Sequence, residues 1–545
     1  MGLMGLTRLD ARRAPCCKWR MQPPSLFPLH QPPLSRRSFL RQSSSLAAAA
    51  LGTGCAAGSA RRYVAFPAYP FALGVASGDP APDGFVIWTR LAPEPLAGGG
   101  MPATPVKVSW VVAEDQKFSK VAAKGVTVAR PEWGHSVHVE VAGLKPDRWY
   151  WYRFETGHET SPLGRTRTTP APGVLPERFR FAFASCQHYE TGYYNAYQHM
   201  LRENIDLVVH LGDYIYENAG RDGLIRKHVG GELMTLDDYR NRLAQYRTDL
   251  DLQTIHAAVP WLVTWDDHEV DNNYASDISE QANVSPAALL QRRAAAYQAY
   301  YEHMPLRRSS LPSGPDMQLY RRVSIGGLAD FHVLDTRQYR TDQPCGDGRS
   351  APCAESLSPG QTLLGARQRD WLLQGLASSR ARWNILAQQV MMARVDRTAG
   401  PEIAYSMDQW PGYEMERRQL LDFFGDRPGL NPVVLTGDIH SNWANELTRA
   451  ADPDHEHPVA AEFVGTSITS GGDGTASPGH LLKTLAENPF VKFHNAERGY
   501  VKCELTAGQW RTDYRTVQHV TRRNTPVNTR ASFILEAGSS KLQSI

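Results

Sequence analysis

The sequence predicts an α+β protein of two domains, a β-sandwich of immunoglobulin or fibronectin type followed by an α/β layered domain. Short stretches in which apolar and polar residues alternate recur between about residues 71 and 169, as in sandwich strands. A linker rich in Pro and Gly follows, and beyond it apolar strands alternate with long helical stretches. The length of 545 residues also favours more than one domain.

These patterns divide the chain into four segments. They are an export signal with a disordered N-terminus, the β-sandwich, the α/β domain and a C-terminal tail, at residues 1–60, 63–172, 177–525 and 526–545. Residues 527–545 show little pattern, and a strand followed by a loose tail is expected there. In the sandwich, strands are predicted at 85–88, 106–110, 137–141 and 149–154.

The α/β domain is predicted from continuous apolar runs and from longer helical stretches rich in Arg, Gln and Leu. Strands are predicted at 179–184, 207–211, 261–264, 331–334, 384–387 and 432–435. The clearest helices are predicted at 285–303 and 365–379.

The charge pattern argues against a nucleic-acid-binding protein. The net charge is +3, but residues 1–60 hold eight Lys or Arg and one Asp, which leaves 51 basic and 55 acidic residues in the rest. A mildly acidic chain without basic runs lacks the electrostatic footprint for nucleic acid. No run of 18 or more apolar residues occurs, so no internal membrane span is predicted.

The N-terminus has the order of regions found in an export signal. Arg36 and Arg37 precede a short apolar stretch and then small residues through Ala60. The Arg pair resembles the twin-arginine signal, which makes the twin-arginine export machinery a partner and predicts a periplasmic or extracellular protein. Residues 1–34 are long for such a signal and favour a start near Met21. Cys55 is a candidate lipoprotein site, disfavoured because no Leu lies three residues before it.

The cysteines fit an exported protein. Cys345 and Cys353 lie eight residues apart in a loop rich in Gly and Pro, and they are predicted to form a disulfide. Cys503 lies in an alternating stretch and is predicted to be a buried apolar residue.

Four of the predicted strands end in polar clusters, at residues 185–188, 212–217, 265–269 and 436–442. Ligands bind beyond the carboxyl ends of strands in α/β sheets, so thiol, phenol, carboxylate and imidazole groups are expected to meet in one crevice. So many anions repel each other unless cations neutralise them. The clusters together therefore predict a metal centre, although helix capping or a core histidine explains each one singly.

The four clusters resemble the motifs of the calcineurin-like metallophosphatase superfamily. Three positions depart from its usual pattern, with Cys186 and Asp267 in place of Asp and Asn, and Asp438 in place of His. These departures are similar to one branch, the PhoD-like alkaline phosphatases and phosphodiesterases. The resemblance covers nearly all of residues 35–520, including the stretches 71–80, 334–340 and 408–410.

The resemblance implies a metallophosphatase-like catalytic domain with Fe(3+) and Ca(2+). The implied metal ligands are Cys186, Asp213, Tyr216, Asp267, Asp438 and His440. Of these, Cys186, Asp213 and Tyr216 would bind iron, with Asp213 also bridging to calcium. Thiolate and phenolate suit Fe(III), whereas carboxylate and amide oxygens suit calcium.

The separation of three residues between Asp213 and Tyr216 predicts one helical turn with both side chains on the same side. The resemblance also implies Asn272 or Asn273 as a weaker candidate for an amide ligand.

The function implied is an exported, metal-dependent phosphoester hydrolase that releases phosphate from monoesters, diesters or both. A metal-bound hydroxide is expected to attack phosphorus in line with the leaving oxygen. His268 is expected to protonate the leaving oxygen or hold a phosphate oxygen, with orientation of a ligand as the alternative. Arg337 is expected to contact the substrate phosphate, with an ion pair to Asp335 as the alternative. Asp408 and Trp410 are expected to line the pocket or to pack in the core.

Two other functions remain open at this stage. One is a phospholipase D or another phosphodiesterase of the same family, which the same site chemistry would serve. The other is a catalytically inert cell-surface binding protein, against which the intact polar clusters argue.

Overall fold

The structure, a computed structural model, describes residues 66–449, 457–477 and 481–545. The predicted export signal, with its Arg pair and Cys55, lies outside the described residues. Residues 63–545 form one compact unit. In the described part, no helix is both long enough and apolar enough to cross a membrane.

The region before the linker is built from short strands in two sheets. The strands are β1 (Val75–Ala81), β2 (Gly84–Arg90), β3 (Val106–Ala113), β4 (Val121–Ala129), β5 (Ser136–Val141), β6 (Trp149–Thr156), β7 (Glu159–Thr160) and β8 (Gly164–Arg167). One sheet has the order β4-β3-β6-β7, with β8 paired to β6, and the other contains β1, β2 and β5. Apolar side chains from both sheets, such as Ile87, Val108 and Tyr152, share one core.

The second of these sheets does not end at β1. Instead β1 pairs in parallel with a strand of the following region, with Gly78 opposite Trp261. A Cβ at Gly78 would lie 2.5 Å from the Pro305 carbonyl oxygen and 2.8 Å from the Trp261 carbonyl oxygen, so only glycine allows this approach. The two regions predicted as separate domains therefore share a continuous sheet.

The chain after the linker contains the remaining strands and the helices. The strands are β9 (Phe179–Ala184), β10 (Leu207–His210), β11 (Trp261–Val263), β12 (Arg321–Ile325), β13 (Ala329–Val333), β14 (Arg349–Ser350), β15 (Trp383–Ala387), β16 (Tyr405–Ser406), β17 (Pro432–Thr436), β18 (Asn442–Thr448), β19 (Pro458–Val464), β20 (Gly474–Thr475), β21 (Val491–Glu497), β22 (Gly499–Leu505), β23 (Gln509–Val517), β24 (Val527–Glu536) and β25 (Gln543–Ser544). The α-helices are α1 (Asn195–Met200), α2 (Leu236–Arg247), α3 (Leu250–Ala258), α4 (Pro286–His303), α5 (Gly365–Ser378), α6 (Glu414–Gly425) and α7 (Leu481–Ala486).

Two large sheets face each other. The ten-stranded sheet has the order β25-β24-β23-β22-β9-β10-β11-β1-β2-β5, and the eight-stranded sheet has the order β12-β13-β15-β17-β19-β18-β21-β20. Their facing apolar side chains, among them Phe181, Val209, Phe331 and Leu435, form a common core. Helices α1 to α4 pack on the outer face of the first sheet, and α5 and α6 on that of the second. The predicted mixed α/β architecture is confirmed as four layers, helix, sheet, sheet and helix.

Every predicted strand overlaps an observed one, and both predicted helices form. Helix α4 begins after Ser285, whose side chain caps the Ala288 N–H, and Pro286 fills the first helical position. The expected strand after residue 526 is β24, which pairs with β23 along its length. The expected loose tail is wrong at its end, because β25 pairs with β24 and joins the same sheet. The predicted disulfide between Cys345 and Cys353 is present. Cys503 is fully buried, as predicted.

Candidate metal centre

The four polar clusters meet where the parallel strands of the facing sheets end. They follow β9, β10 and β11 in one sheet and β17 in the other. The backbone turns sharply after these strands, with positive φ angles at Cys186, Asp213, Asp438 and His440. Residues other than glycine are destabilised by about 1 kcal/mol or more in this conformation. The fold therefore stabilises strained turns, and these turns bring the polar groups together.

Cys186, Asp213 and His440 form the first group. Their potential ligand atoms lie within 4.8 Å of one another. The Tyr216 hydroxyl donates to Asp213 Oδ2 at 2.7 Å and lies 3.3 Å from His440 Nε2. Cys186 is 1% exposed, and burial together with the charge of Asp213 raises the pKa of its thiol. This group therefore brings thiol, carboxylate, phenol and imidazole donors to one buried place.

The predicted helical turn between Asp213 and Tyr216 is wrong. No helix covers these residues, and Asp213 has a φ of 54°, in the left-handed region. The turn is held instead by Glu269, whose carboxylate accepts the backbone N–H groups of Asp213, Tyr214 and Asp266. Glu269 thus ties the loops after β10 and β11 together. The residues do lie side by side, but for a different reason from the one predicted.

Asp266, Asp267 and Asp438 form the second group, again with ligand atoms within 4.8 Å of one another. Asp267 also belongs to a group with Asp213 and His268, so the two sets of donors are continuous. Asp213 Oδ1 and Asp266 Oδ2 are buried and have no hydrogen-bond partner. Buried anionic oxygens without partners are costly unless a cation satisfies them. Cations therefore fit both groups.

Arg337 lies beneath the second group and is fully buried. Its Nε donates to Asp266, and its Nη1 donates to Asp408 at 2.9 Å. The expected alternative, an ion pair with Asp335, is wrong, because Asp335 accepts the backbone N–H of Arg337 and not its guanidinium. The remaining Nη2 lies 3.8 Å from Asp267 and 3.7 Å from Asp438 and has no hydrogen-bond partner.

Arg337 alone does not balance the carboxylates of the two groups. Burial and neighbouring acids raise the pKa of Asp213 and of Asp266, although His268 and Arg337 oppose the rise. Burial raises the pKa of Asp438 to about 6. The pKa of Asp267 is shifted in the opposite direction from those of Asp213, Asp266 and Asp438. Burial raises it, but Arg337 and His268 outweigh the burial and hold it below the usual range. The site is therefore electrostatically prepared for cations.

His268 has a buried carboxylate partner that the sequence analysis did not assign. Its Nδ1 lies 2.7 Å from Oε2 of Glu217, which is 3% exposed. Burial opposes the charge on His268, but Glu217, Asp213 and Asp267 together raise its pKa well above the usual value. The Tyr216 ring centroid lies 4.2 Å from that of His268. The charged imidazolium is thus held against the first group and is partly open to solvent.

The tertiary structure adds Ser470 to the site, a residue that the sequence motifs do not single out. The Ser470 hydroxyl bridges the Cys186 carbonyl oxygen and the Tyr216 hydroxyl at 2.8 and 2.7 Å, and only tertiary structure brings it there. The side-chain amides of Asn272 and Asn273 donate to Glu280. Trp410 is fully buried and packs in the core.

Without cations, raising the pH is expected to destabilise the protein through its buried acids. Burial raises the pKa of Asp438 to about 6 and that of Glu269 to about 7. The folded state therefore binds these protons more tightly than the unfolded chain, and the free energy of unfolding falls as the pH rises through this range. One pKa unit corresponds to about 1.4 kcal/mol.

The variant Asp438→Asn isolates this effect. After chelation, its stability relative to the parent should grow between about pH 4 and pH 7, by a few kcal/mol in urea unfolding. Binding of a cation at the site should reverse the difference at the upper end of that range. A difference that stays constant with pH would show that Asp438 carries no buried charge.

The chain is similar to known proteins over most of its length. A model of the PhoD-like phosphatase family matches residues 181–514, and a model of that family's N-terminal domain matches residues 56–170. Alkaline phosphatase D from Bacillus subtilis (strain 168) is 51% identical over 519 residues, which is 94% of this chain and 89% of that protein. A solved structure of PhoD superposes with a TM-score of 0.86 at 52% identity, covering 88% of this chain and 93% of that one.

Proposed function

The chain belongs to the PhoD-like phosphatase family and is a phosphoester hydrolase, and we propose that it is an exported alkaline phosphatase with an iron and calcium centre. The observation that carries this proposal is that Cys186, Tyr216 and Asp213 lie together and that Oδ1 of Asp213 is buried without a hydrogen-bond partner. The proposed ligands are Cys186, Asp213, Tyr216, Asp267, Asp438 and His440.

The donor types support this choice of metals. Thiolate and phenolate, from Cys186 and Tyr216, are strong donors that favour Fe(III). Carboxylates such as Asp267 and Asp438 are the oxygen ligands that calcium prefers. Asp213 touches both groups of donors and is suited to bridge two ions. Asp266 joins the candidates, because its Oδ2 is free while its Oδ1 accepts from Arg337.

When bound, the cations would neutralise phosphoryl oxygens and lower the pKa of a water molecule. His268 supplies the proton for the leaving oxygen. Glu217 accepts a hydrogen bond from Nδ1–H of His268. This bond fixes the imidazole ring and leaves Nε2 as the proton donor. Burial opposes the charge on His268, but Glu217 raises its pKa, and this favours the protonated form that a general acid needs.

Arg337 has a positioning role in this proposal, not the substrate contact expected from the sequence. Two of its nitrogens are engaged by Asp266 and Asp408, and the third points between Asp267 and Asp438. It therefore orients the carboxylate ligands and offsets part of their repulsion. Its complete burial leaves no face open to a substrate.

Export through the twin-arginine machinery, to the periplasm or beyond, is supported by Arg36 and Arg37 and by the Cys345–Cys353 disulfide, since disulfides persist in oxidising compartments. Cys55 is not proposed as a lipid anchor. We also propose that residues 63–172 form a sandwich of immunoglobulin or fibronectin type beside a catalytic domain at 177–525. Two sheets around one core support it.

Replacing Tyr216 by phenylalanine is expected to remove the visible charge-transfer band of the iron centre and to lower turnover at least about tenfold. The purified protein should contain iron and calcium and hydrolyse 4-nitrophenyl phosphate. Absorption spectra and metal analysis check both points. The control Tyr301→Phe changes a buried tyrosine beside His138, away from the centre, and should keep the band. A colourless parent with zinc and no iron would end the iron and calcium assignment.

A further inference from the structure

Arg397 lies on the side of the centre where Asp438 is, and its guanidinium packs against an aromatic ring. Its guanidinium carbon lies 5.0 Å from the ring centroid of Trp443. Trp443 is buried, and its indole N–H donates to the Ser441 hydroxyl at 2.8 Å, within the loop that carries Asp438. The ring of His494 also packs against the Trp443 indole, with ring centroids 4.4 Å apart. The position of Arg397 is thus fixed relative to the ligand loop.

Arg397 has no acidic partner. Among the residues that the structure describes, no carboxylate lies within ion-pair distance of it, whereas Arg337 and Arg340 are both paired with Asp408. Its charged neighbours include a second arginine, Arg349. Burial and this like charge lower the pKa of Arg397 to about 10, against the attraction of Asp438. A half-buried cation beside another cation lacks a counter-ion.

A short ribbon brings Arg349 close to Arg397. Arg349 pairs with Ser406 of β16, and the Arg397 backbone N–H donates to the Ala404 carbonyl oxygen just before β16 at 2.9 Å. Arg349 lies inside the loop closed by the Cys345–Cys353 disulfide, where β14 pairs with β16. The chain leaves β16 directly into Asp408 and Gln409, and the Gln409 side-chain amide donates to Asp438 Oδ2 at 3.3 Å. The ribbon therefore anchors an exposed arginine at the rim of the centre.

We propose that Arg397 and Arg349 form a subsite for a second anionic group on the substrate, so that the enzyme favours phosphoesters whose leaving group carries a phosphate or another phosphodiester. The assignment rests on the proposed metal centre, because it places the reacting phosphoryl group there. It concerns specificity, and neither arginine takes part in bond breaking.

The chemistry of the subsite follows from its charges. Once Asp438 coordinates a cation, its negative charge is no longer available to Arg397, and the two arginines are left with an uncompensated positive field. Guanidinium groups bind phosphate oxygens through paired N–H donors. The exposed Arg349 and the half-buried Arg397 can both be reached from solvent. A second phosphate of the substrate would supply the missing counter-ion.

The test compares alkyl phosphates with α,ω-alkanediol bisphosphates of two to five carbons, using phosphate release by the metal-loaded enzyme. For at least one length, kcat/KM should favour the bisphosphate at least about tenfold, which is the size expected for a charged hydrogen-bonded contact. In Arg397→Gln this preference should disappear while the rate on the alkyl phosphate is nearly unchanged. Arg397→Lys, which keeps the charge without the paired donors, should retain part of it.

Arg427→Gln is the matched control, because Arg427 also lies over an aromatic ring, Phe423 at 3.7 Å, but is exposed elsewhere on the surface. It should leave the preference intact. If the parent hydrolyses the esters without preferring any bisphosphate, or if Arg397→Gln lowers both rates equally, the subsite is wrong although the phosphatase function stands. If the parent hydrolyses none of the esters, the proposed function fails and the subsite with it.

Discussion

Asp213→Asn is expected to lower kcat/KM about a thousandfold and to release cation from the protein. Asp213 belongs to the first donor group and also lies in a group with Asp267 of the second, and asparagine keeps its shape while removing its charge. Lewis-acid stabilisation by metal is worth several kcal/mol, and each 1.36 kcal/mol is about tenfold in rate. The Tyr216 hydroxyl still finds an oxygen acceptor, so the turn should survive.

Stability separates this effect from misfolding. Burial raises the pKa of Asp213 in the metal-free protein, so removing its charge should leave the chelated variant at least as stable as the chelated parent. Asp370→Asn, an exposed carboxylate 59% accessible on α5, is the control and should change neither activity nor metal content. An Asp213→Asn protein that keeps its metals and its activity would exclude Asp213 as a ligand.

His268→Gln is expected to lower kcat on alkyl phosphates by about 100-fold or more, within the range of general acid catalysis. The loss should be smaller on 4-nitrophenyl phosphate, whose leaving group needs little protonation. Equal losses on the two substrates would assign His268 to holding the phosphate or orienting a ligand instead.

Glu217→Gln provides the pH test of the same pair. The carboxylate raises the pKa of His268, so neutralising it lowers that pKa, and the proton is lost at a lower pH. The alkaline limb of the pH–rate profile for alkyl phosphates should therefore move to lower pH. His519→Gln is a matched control, because His519 also faces a carboxylate, Asp473 at 3.0 Å, outside the centre. An alkaline limb that does not move in Glu217→Gln would show that His268 is not the acid.

The strands and the convergence of the clusters could be predicted because they depend on local pattern. Buried parallel strands are uninterrupted apolar runs, and the carboxyl ends of such strands meet at one edge. The sequence positions of Cys186, Asp213 and Asp438, directly after their strands, then bring them together. The disulfide was equally local, since only eight residues separate its cysteines.

The partners of the site residues could not be predicted, because they lie far apart in the chain. Glu269 accepts three backbone N–H groups, Arg337 meets Asp408 across 71 residues, and Ser470 reaches Tyr216 across 254. Many carboxylates could have paired with Arg337, and nothing in the spacing selects one. The turn at Asp213 departs from a helix because tertiary hydrogen bonds to Glu269 outweigh the local preference.

The contact at Gly78 couples the N-terminal strands to the candidate metal centre. Strand β11, which β1 flanks through Gly78, is followed at once by Asp266, Asp267 and His268. A change in the N-terminal strands that displaces β1 also displaces the strand after which the acid and ligands follow. The N-terminal strands therefore cannot be exchanged as an accessory module, and selection on catalysis must act on them as well.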